Sequence, residues 1–310
     1  MIKRLMILGP TASGKSALSA RLAGEIGAEI ISVDSRQCYK KIDIGTAKPE
    51  KELLDSVPHY NISLFDLNQN DSAANFFNRT RTWEKQILSK GRYVIYTGGS
   101  TLHLQGLIRP LDDLPQSNPE NIRQLNQQVK HDGLQTLYQE LQRVDPDYAE
   151  KMDGLNRQRI IRAMDVWMQT GKPFSSFHRK DEIQPPDDMI VYGLHWLRKK
   201  LHERINQRVD TMIEKGLIEE TRQILEEGYS PDLQSLQTVG YREVISYLDG
   251  NLSKEDMIND IKTKTRRYAK RQITWFRRWP FIRWLKAYEL SVAERIESIK
   301  QDLAADPNKS

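Results

Sequence analysis

A glycine-rich motif near the N-terminus constrains this chain more than any other feature. An apolar run, residues 5–8, leads directly into Gly9-Pro10-Thr11-Ala12-Ser13-Gly14-Lys15-Ser16. A strand that feeds a glycine-rich turn and then a helix directs backbone N–H groups and the positive helix end to one point, where a diphosphate can bind. The Lys15 ammonium adds charge at the phosphates, and the Ser16 hydroxyl can ligate Mg²⁺. The motif therefore predicts a P-loop, with all eight residues as diphosphate-binding candidates.

The pattern of apolar runs predicts an α/β fold. Strand-like runs alternate with helical stretches along the first hundred residues, as in a parallel sheet with crossover helices. Three prolines follow between residues 110 and 119, and the pattern over residues 121–171 is then almost wholly helical, with Asp145-Pro146 starting one helix. A returning strand is predicted at 189–194. The later helices are predicted at 199–227, 242–248 and 254–279.

These patterns predict a P-loop parallel-sheet core with a mostly helical inserted domain. The expected core comprises residues 1–114 and 189–300, the insertion comprises residues 115–188, and residues 301–310 form a flexible tail. The chain has 310 residues, a net charge of +5 and 29% charged residues, which favour a cytoplasmic protein. No apolar run approaches the roughly eighteen residues that span a bilayer. Cys38 is the only cysteine, so neither a disulfide framework nor a cysteine-based zinc site is possible.

Polar residues follow two further predicted strands. Asp34 comes directly after the run at 29–33, and Gly98-Gly99-Ser100-Thr101 follows the run at 93–97. Parallel sheets bind ligands at the carboxyl ends of their strands, so these groups are expected to converge on the P-loop. Asp34 has three possible roles, which the spacing does not separate: a cap of the next turn, a ligand of Mg²⁺ or a proton acceptor.

Basic side chains recur at helical spacing later in the chain. Arg204 and Arg208 lie one turn apart, and two guanidinium groups on one flank suit a phosphate or diphosphate. The segment 262–279 interleaves Arg and Lys with aromatic residues, a composition typical of nucleic-acid binding, although most of the aromatics are expected in the core. The insertion carries Arg157, Gln158, Arg159 and Arg162, residue types that suit RNA phosphates and base edges.

Together the motifs resemble the tRNA dimethylallyltransferase (tRNA isopentenyltransferase) family, of the bacterial type. The resemblance covers nearly the whole chain, and its most specific string is Asp43-Ile44-Gly45-Thr46-Ala47-Lys48-Pro49. The other matching segments are residues 9–16, Asp34-Ser35 with Gln37, Pro58-His59, Gly98-Gly99, 157–163, Gly171-Lys172-Pro173, Val239-Gly240-Tyr241-Arg242 and 266–276.

The resemblance implies transfer of a dimethylallyl group from dimethylallyl diphosphate to the exocyclic N6 amine of the adenosine 3′ of the anticodon in tRNA. It implies that Asp34 accepts the amine proton, while Lys15, Arg208 and Mg²⁺ near Ser16 stabilise the departing diphosphate and Ser100 orients its bridging oxygen. Because the target base lies in the anticodon loop, it must be splayed out. The expected partner is a tRNA anticodon stem-loop, bound by a monomer. The residues expected to bind tRNA are Asp34, Ser35, Arg36, Gln37, Ser100, Arg123, Gln158, Arg159, Ile160, Ile161 and Arg162.

The chain departs from the family pattern at two places. The family usually has a threonine where Ser100 stands and a tyrosine three residues later, where this chain has His103, so Thr101 competes with Ser100 for the hydroxyl role. Residues 152–156 also replace the usual His-Pro-Asn-Asp. Two other functions remain open: an ATP-dependent kinase of a small metabolite that uses Asp34 as a base, and an RNA-binding P-loop module without chemistry.

Overall fold

The apolar run before the P-loop forms a central strand of a parallel sheet. Strands that are covered on both faces have near-continuous apolar sequences, and residues 5–8 are fully buried. Six strands pair in the order β3-β2-β4-β1-β5-β6, and every pairing is parallel, which confirms the predicted fold class. The strands are β1 (Arg4–Leu8), β2 (Ala28–Val33), β3 (His59–Tyr60), β4 (Tyr93–Gly98), β5 (Met189–His195) and β6 (Arg283–Lys286).

The computed structural model describes residues 2–109, 114–178 and 183–305. These residues divide into two units, a larger one with residues 2–109 and 183–305 and a smaller one with residues 114–178. The larger unit contains the whole sheet. Its first four helices are α1 (Lys15–Ile26), α2 (Lys51–Ser56), α3 (Ala73–Ser89) and α4 (Thr101–Ile108).

The smaller unit is helical and has its own core. Asn118 and Asp145 cap two of its helices through their side chains. Each of these helices begins with a proline, which loses no hydrogen bond at the first helical position. Leu125, Leu137 and Ile160 pack at the centre of its core and are almost completely buried. The helices are α5 (Pro119–Asp132), α6 (Leu134–Val144), α7 (Pro146–Glu150) and α8 (Arg157–Thr170), followed by a 3-10 turn at Phe174–Phe177.

The helices after β5 differ from the prediction in two respects. The single helix predicted over 199–227 is wrong, because Gly216 adopts a φ of 95° and separates two helices. The flexible tail predicted from residue 301 also begins too early, since the last helix continues to Ala304 and buries Leu303; residues 306–310 lie outside the described residues. The helices are α9 (Arg198–Glu214), α10 (Leu217–Glu226), α11 (Tyr241–Leu248), α12 (Lys254–Phe276) and α13 (Val292–Ala304).

The register of the sheet brings three strand ends into one row. Gly98 of β4 pairs with Leu8 of β1 on one side and with Val33 of β2 on the other. The P-loop, Asp34 and the Gly99-Ser100 segment therefore leave the sheet side by side, where parallel sheets bind ligands. Among the residues that the structure describes, no helix is both long enough and apolar enough to cross a membrane.

Candidate active site

The P-loop is a tight turn between β1 and α1. Gly14, the residue before the helix, has a φ of 89°, and Ala12 also adopts a left-handed conformation with a φ of 62°. The Lys15 ammonium donates to the carbonyl oxygen of Pro10 at 2.9 Å. Burial lowers the pKa of Lys15 to about 8, the charge of Arg208 acts in the same direction, and Asp34 opposes them. A bound anion would favour the charged ammonium.

A cavity of about 290 Å³ opens at the row of strand ends. Three groups of predicted residues meet in its wall: the P-loop, the segment after β2, and Ser100 after β4. Arg208 joins them from α9. The predicted residues that line this cavity are Thr11, Lys15, Ser16, Asp34, Ser35, Arg36, Gln37, Ser100 and Arg208.

A second, more open cavity of about 810 Å³ adjoins the first at the P-loop. Lys15, Ser16 and Arg208 line both cavities, and Arg204 adds a further guanidinium group to the wall of the second. Ala12, Ser13 and Gly14 line only the second cavity, whereas Gly9 and Pro10 line neither. Within the described residues, the Ser16 hydroxyl has no hydrogen-bond partner.

Asp34 uses one carboxylate oxygen as a cap. Its Oδ1 accepts hydrogen bonds from the backbone N–H groups of Arg36 at 2.8 Å and Gln37 at 3.2 Å. This is the capping role that the sequence left open, and it fixes the orientation of the side chain. Asp34 also faces the cavity, and Oδ2 takes no part in the cap, so capping and proton acceptance are compatible in one carboxylate.

Gln272 of α12 connects the P-loop to the segment after β4. Its Oε1 accepts from the backbone N–H of Thr11 at 2.9 Å, and its Nε2 donates to the carbonyl oxygen of Gly99 at 2.7 Å. A Cβ at position 99 would lie 2.3 Å from Nε2, so this contact requires glycine there. No local pattern distinguishes Gln272 in the sequence, because it lies inside a helix rich in basic and aromatic residues.

Arg204 and Arg208, the two arginines expected to act as a pair on α9, both line the second cavity, and Arg208 lines the first cavity as well. Arg204 also donates from Nε to the carbonyl oxygen of Ala12 at 2.9 Å. Trp196 donates its indole N–H to the carbonyl oxygen of the next residue, Ser13, at 3.0 Å. Arg204 and Trp196 therefore brace the P-loop, and no local pattern in the sequence distinguishes Trp196.

The family-specific string at residues 43–49 is held against α10 and α11. The Glu220 carboxylate accepts from the backbone N–H groups of Asp43 at 3.0 Å and Ile44 at 2.9 Å, and the Tyr241 hydroxyl donates to it at 2.5 Å. A Cβ on Gly45 would lie 2.4 Å from the Tyr241 ring. Gln37 donates to the carbonyl oxygens of Thr46 and Ala47, both at 3.2 Å, so its amide N–H groups are used within the protein.

The predicted tRNA-binding residues of the smaller unit have unequal exposure. Gln158 and Arg159 are exposed on the first turn of α8, and Arg123 is exposed on α5, where it pairs with Glu120 at 2.6 Å. The side chains of Ile160 and Ile161 are buried in the core of the unit, so direct side-chain contact with tRNA is not available to them. Arg162 is partly buried and pairs with Asp165 at 2.7 Å, an internal structural contact.

Aromatic residues of α12 divide between core and cavity. Phe276 is completely buried, and Trp279 just beyond the helix is nearly so, as expected. Tyr268 instead lines the cavity, with the guanidinium of Arg271 5.7 Å from its ring centroid. Although part of Tyr268 is exposed, desolvation in the cavity wall raises the pKa of its hydroxyl to about 12, and the charge of Asp34 acts in the same direction.

Comparisons with known proteins agree with this arrangement. The sequence model of the family described as IPP transferase matches residues 37–279. A tRNA dimethylallyltransferase of Salinibacter ruber is 41% identical over 99% of this chain and 94% of its own length. Among solved structures, the full-length tRNA isopentenylpyrophosphate transferase of Bacillus halodurans is 34% identical with a TM-score of 0.72, over 98% of this chain and 96% of that one.

A eukaryotic dimethylallyltransferase, described as acting on tRNA, has a TM-score of 0.83 at 28% sequence identity. The match covers all of this chain and 81% of the eukaryotic one. The family model, the sequence relatives and the solved structures thus agree on one family, and the relatives and structures match nearly the whole length of this chain. The chain belongs to the tRNA dimethylallyltransferase family, whose members are prenyl-transferring enzymes.

Proposed function

We propose that this protein transfers the dimethylallyl group of dimethylallyl diphosphate to the N6 amine of the adenosine 3′ of the anticodon in tRNA, and releases diphosphate. The strongest support for this reaction is that one cavity wall, at adjacent strand ends, contains Lys15, Asp34 and Ser100. These side chains supply a cation, a base and a hydroxyl, which are the groups that the reaction requires.

In the proposed reaction the adenine N6 attacks the allylic carbon that carries the diphosphate. A C–N bond forms, the C–O bond to the diphosphate breaks, and the departing oxygen takes the bonding electrons. Asp34 accepts the proton that N6 loses, and its cap to the Arg36 and Gln37 N–H groups holds the carboxylate in place. Lys15 and Arg208 stabilise the charge on the diphosphate, and Ser100 donates to its bridging oxygen.

Ser100 suits this role better than Thr101. Ser100 is among the residues that line the cavity, whereas Thr101, the first residue of α4, is not. Proximity and orientation supply much of the rate in such a displacement, so a hydroxyl outside the cavity wall would contribute little.

The donors at the P-loop fit a Mg²⁺ ion that is bound mainly through the substrate. Within the described residues, no group of three or more His, Cys, Asp or Glu side chains can hold a metal. Mg²⁺ accepts such a site, because it commonly takes one or two protein oxygens together with phosphate oxygens and water. We propose that the unpartnered Ser16 hydroxyl supplies a protein ligand, and that the bound ion would offset negative charge on the diphosphate.

Exposed Gln158, Arg159 and Arg123 of the smaller unit are proposed to contact the tRNA. Arginine binds phosphate through paired N–H groups, and glutamine can bond to base edges or backbone. The main chain at Ile160 and Ile161 and the internally paired Arg162 would then support the surface that Gln158 and Arg159 present. Ser35, Arg36 and Gln37 line the cavity and are proposed to contact the anticodon loop there. We further propose a cytoplasmic monomer, since one chain carries every group that the reaction needs.

The experiment that tests the function measures transfer of label from radioactive dimethylallyl diphosphate to unmodified tRNA with adenosines after the anticodon. Mg²⁺ is present and ATP is absent. The decisive variant is Asp34→Asn, because an amide oxygen preserves the cap but cannot accept a proton. We expect wild-type transfer and a loss of about a hundredfold or more in the variant, the scale of a general base.

Three other results would contradict the proposal. ATP turnover without label transfer would indicate the kinase. Binding of tRNA without transfer by the wild type would indicate an RNA-binding module. Equal transfer by wild type and Asp34→Asn would show that Asp34 is not the base.

A further inference from the structure

Ser100 is the residue just before α4, at the cap position, but its side chain does not cap the helix. A serine at this position usually accepts a hydrogen bond from a backbone N–H of the first helical turn. Here the hydroxyl makes no such bond; Oγ instead lies 2.7 Å from Nδ1 of His103, one turn further along the helix. The Ser100 hydroxyl is therefore held by a side chain of the helix that follows it, at a position where the family usually has tyrosine.

His103 is held in an apolar setting. Its ring packs edge-on against Phe76, with centroids 4.6 Å apart, and lies 6.2 Å from the ring of Phe77. Burial is the main cause that lowers the pKa of His103 to about 4; Arg79 and Arg36 also lower it, and Asp71 and Asp34 oppose them. The imidazole is neutral near pH 7, so it carries one N–H and one lone pair.

A neutral imidazole can fix the direction of a hydroxyl hydrogen. A serine hydroxyl rotates freely unless a partner occupies one of its sites. If Nδ1 carries the hydrogen and donates to Oγ, the bond occupies an acceptor site of Ser100. The Ser100 hydrogen is then directed away from the ring, and Ser100 forms part of the wall of the cavity that Lys15 and Arg208 also line.

We propose that His103 is a positioning residue that donates from Nδ1 to Ser100 Oγ and so directs the Ser100 hydroxyl hydrogen at the leaving oxygen of the diphosphate. His103 does not touch the substrate in this arrangement, since it is not among the residues that line the cavity. The inference rests on the proposed function of Ser100. It assigns the imidazole a specific role where the family usually has tyrosine.

The test is a double-mutant cycle on steady-state transfer to tRNA. His103→Phe retains an aromatic ring against Phe76 and Phe77 but removes the hydrogen bond to Ser100. We expect kcat to fall about tenfold, less than the loss of an entire transition-state donor, while KM for dimethylallyl diphosphate changes less than about twofold. In a Ser100→Ala background the same substitution is expected to have no further effect, because the group that His103 positions is gone.

His103→Asn separates hydrogen bonding from packing. The asparagine amide can place an N–H close to the position of Nδ1 but fills less space, so we expect it to retain kcat within about threefold of the wild type while it is less stable to heat. Better activity in His103→Phe than in His103→Asn would overturn the proposal. Equal losses from His103→Phe in both backgrounds would also overturn it, since a purely structural effect is additive.

Failure of this inference is distinguishable from failure of the proposed function. Transfer by the wild type with an additive cycle removes only the role of His103. Absence of transfer by the wild type removes the proposed function, and the inference with it. Should His103→Phe not fold, His103→Gln serves in the same cycle, because its longer side chain carries the amide away from the position of Nδ1.

Discussion

The guanidinium of Arg204 lies over the indole ring of Trp196, with its central carbon 4.4 Å from the ring centroid. Both side chains also donate to neighbouring carbonyl oxygens of the P-loop, at Ala12 and Ser13. The C=O and N–H of a trans peptide point in opposite directions, so fixing the Ser13 oxygen on the indole turns the Gly14 N–H away from it. The stacked pair therefore orders the loop before any phosphate arrives.

Trp196→Phe tests this bracing. Phenylalanine retains a ring beneath Arg204 but removes the N–H that holds Ser13. We expect the Kd of dimethylallyl diphosphate to rise about three- to tenfold, and the free energy of unfolding to fall by about 1 kcal/mol, the net value of one hydrogen bond. Calorimetric titration and urea denaturation measure the two quantities. Trp284→Phe, on a partly exposed edge strand, is the matched control; equal effects of both variants on Kd would contradict the prediction.

Gln272→Met tests the connection between the P-loop and Gly99. The substitution conserves volume but leaves the Thr11 N–H and the Gly99 oxygen without their partner. We expect kcat to fall about tenfold and the free energy of unfolding to fall by about 2 kcal/mol, because unsatisfied buried groups are costly. Label transfer and urea denaturation measure these effects. Thr274→Val, exposed on the same helix, is expected to leave both unchanged; wild-type kcat in Gln272→Met would refute the link.

The lowered pKa of Lys15 predicts a pH dependence of substrate binding. The free enzyme loses the Lys15 proton as pH rises through about 8, whereas the diphosphate complex retains it because the anion favours the ammonium. Binding must then take up a proton above pH 8, so the Kd of dimethylallyl diphosphate is expected to be lowest below pH 8 and to rise by up to about tenfold per unit above it.

Calorimetry between pH 7 and 9, in buffers of different ionisation enthalpy, measures that proton uptake directly. Lys15→Arg keeps the positive charge throughout this range, so its Kd is expected to be higher but independent of pH. A wild-type Kd that does not change between pH 7 and 9 would show that Lys15 does not titrate there.

Gly45→Ala tests the contact with Tyr241. The added methyl group would meet the tyrosine ring, whose own position is fixed by Glu220. We expect the free energy of unfolding to fall by about 1–3 kcal/mol, the usual cost of overpacking. Gly24→Ala is the matched control, because Gly24 lies inside α1 and an added Cβ there would meet no atom within 4 Å. It is expected to stabilise the protein by about 0.5–1 kcal/mol, so the two signs should be opposite in urea denaturation.

Arg159→Gln tests the proposed tRNA surface of the smaller unit. Loss of one phosphate contact is expected to weaken tRNA binding and to reduce the slope of log Kd against log salt concentration by about 0.7–0.9. Filter binding at several salt concentrations measures that slope. The Kd of dimethylallyl diphosphate should not change. An unaltered salt slope would show that Arg159 makes no phosphate contact.

The parts of the site that follow from local rules were predictable from the sequence. Asp34 and Ser100 reach the cavity because strand ends in a parallel sheet lie in one row, and three apolar runs marked those strands. Gln272 and Trp196 were not predictable, because each acts through a contact far along the chain and no local pattern distinguishes it. The strand β6 was missed because only Leu285 among its four residues is buried, and so short an edge strand carries little pattern.

The arginines of α9 show how far helical spacing alone predicts the position of a side chain. The spacing placed Arg204 and Arg208 on one flank, and both line the second cavity at the P-loop, but only Arg208, one turn of helix or about 5.4 Å further on, also lines the first. A glycine after a lysine, as at Gly216, is a common helix end. The apolar periodicity continues on both sides of Gly216, however, and this favoured one continuous helix.

The bridge formed by Gln272 has a consequence for how the protein is made. Because this side chain ties Thr11 to Gly99, and β5 must insert beside β1, the phosphate pocket is assembled from segments that leave the ribosome at widely separated times. A nascent chain has its P-loop sequence early, but it acquires the support for that loop only after α12 has emerged. We therefore expect the P-loop to gain its full support only late in biosynthesis, after α12 has been translated.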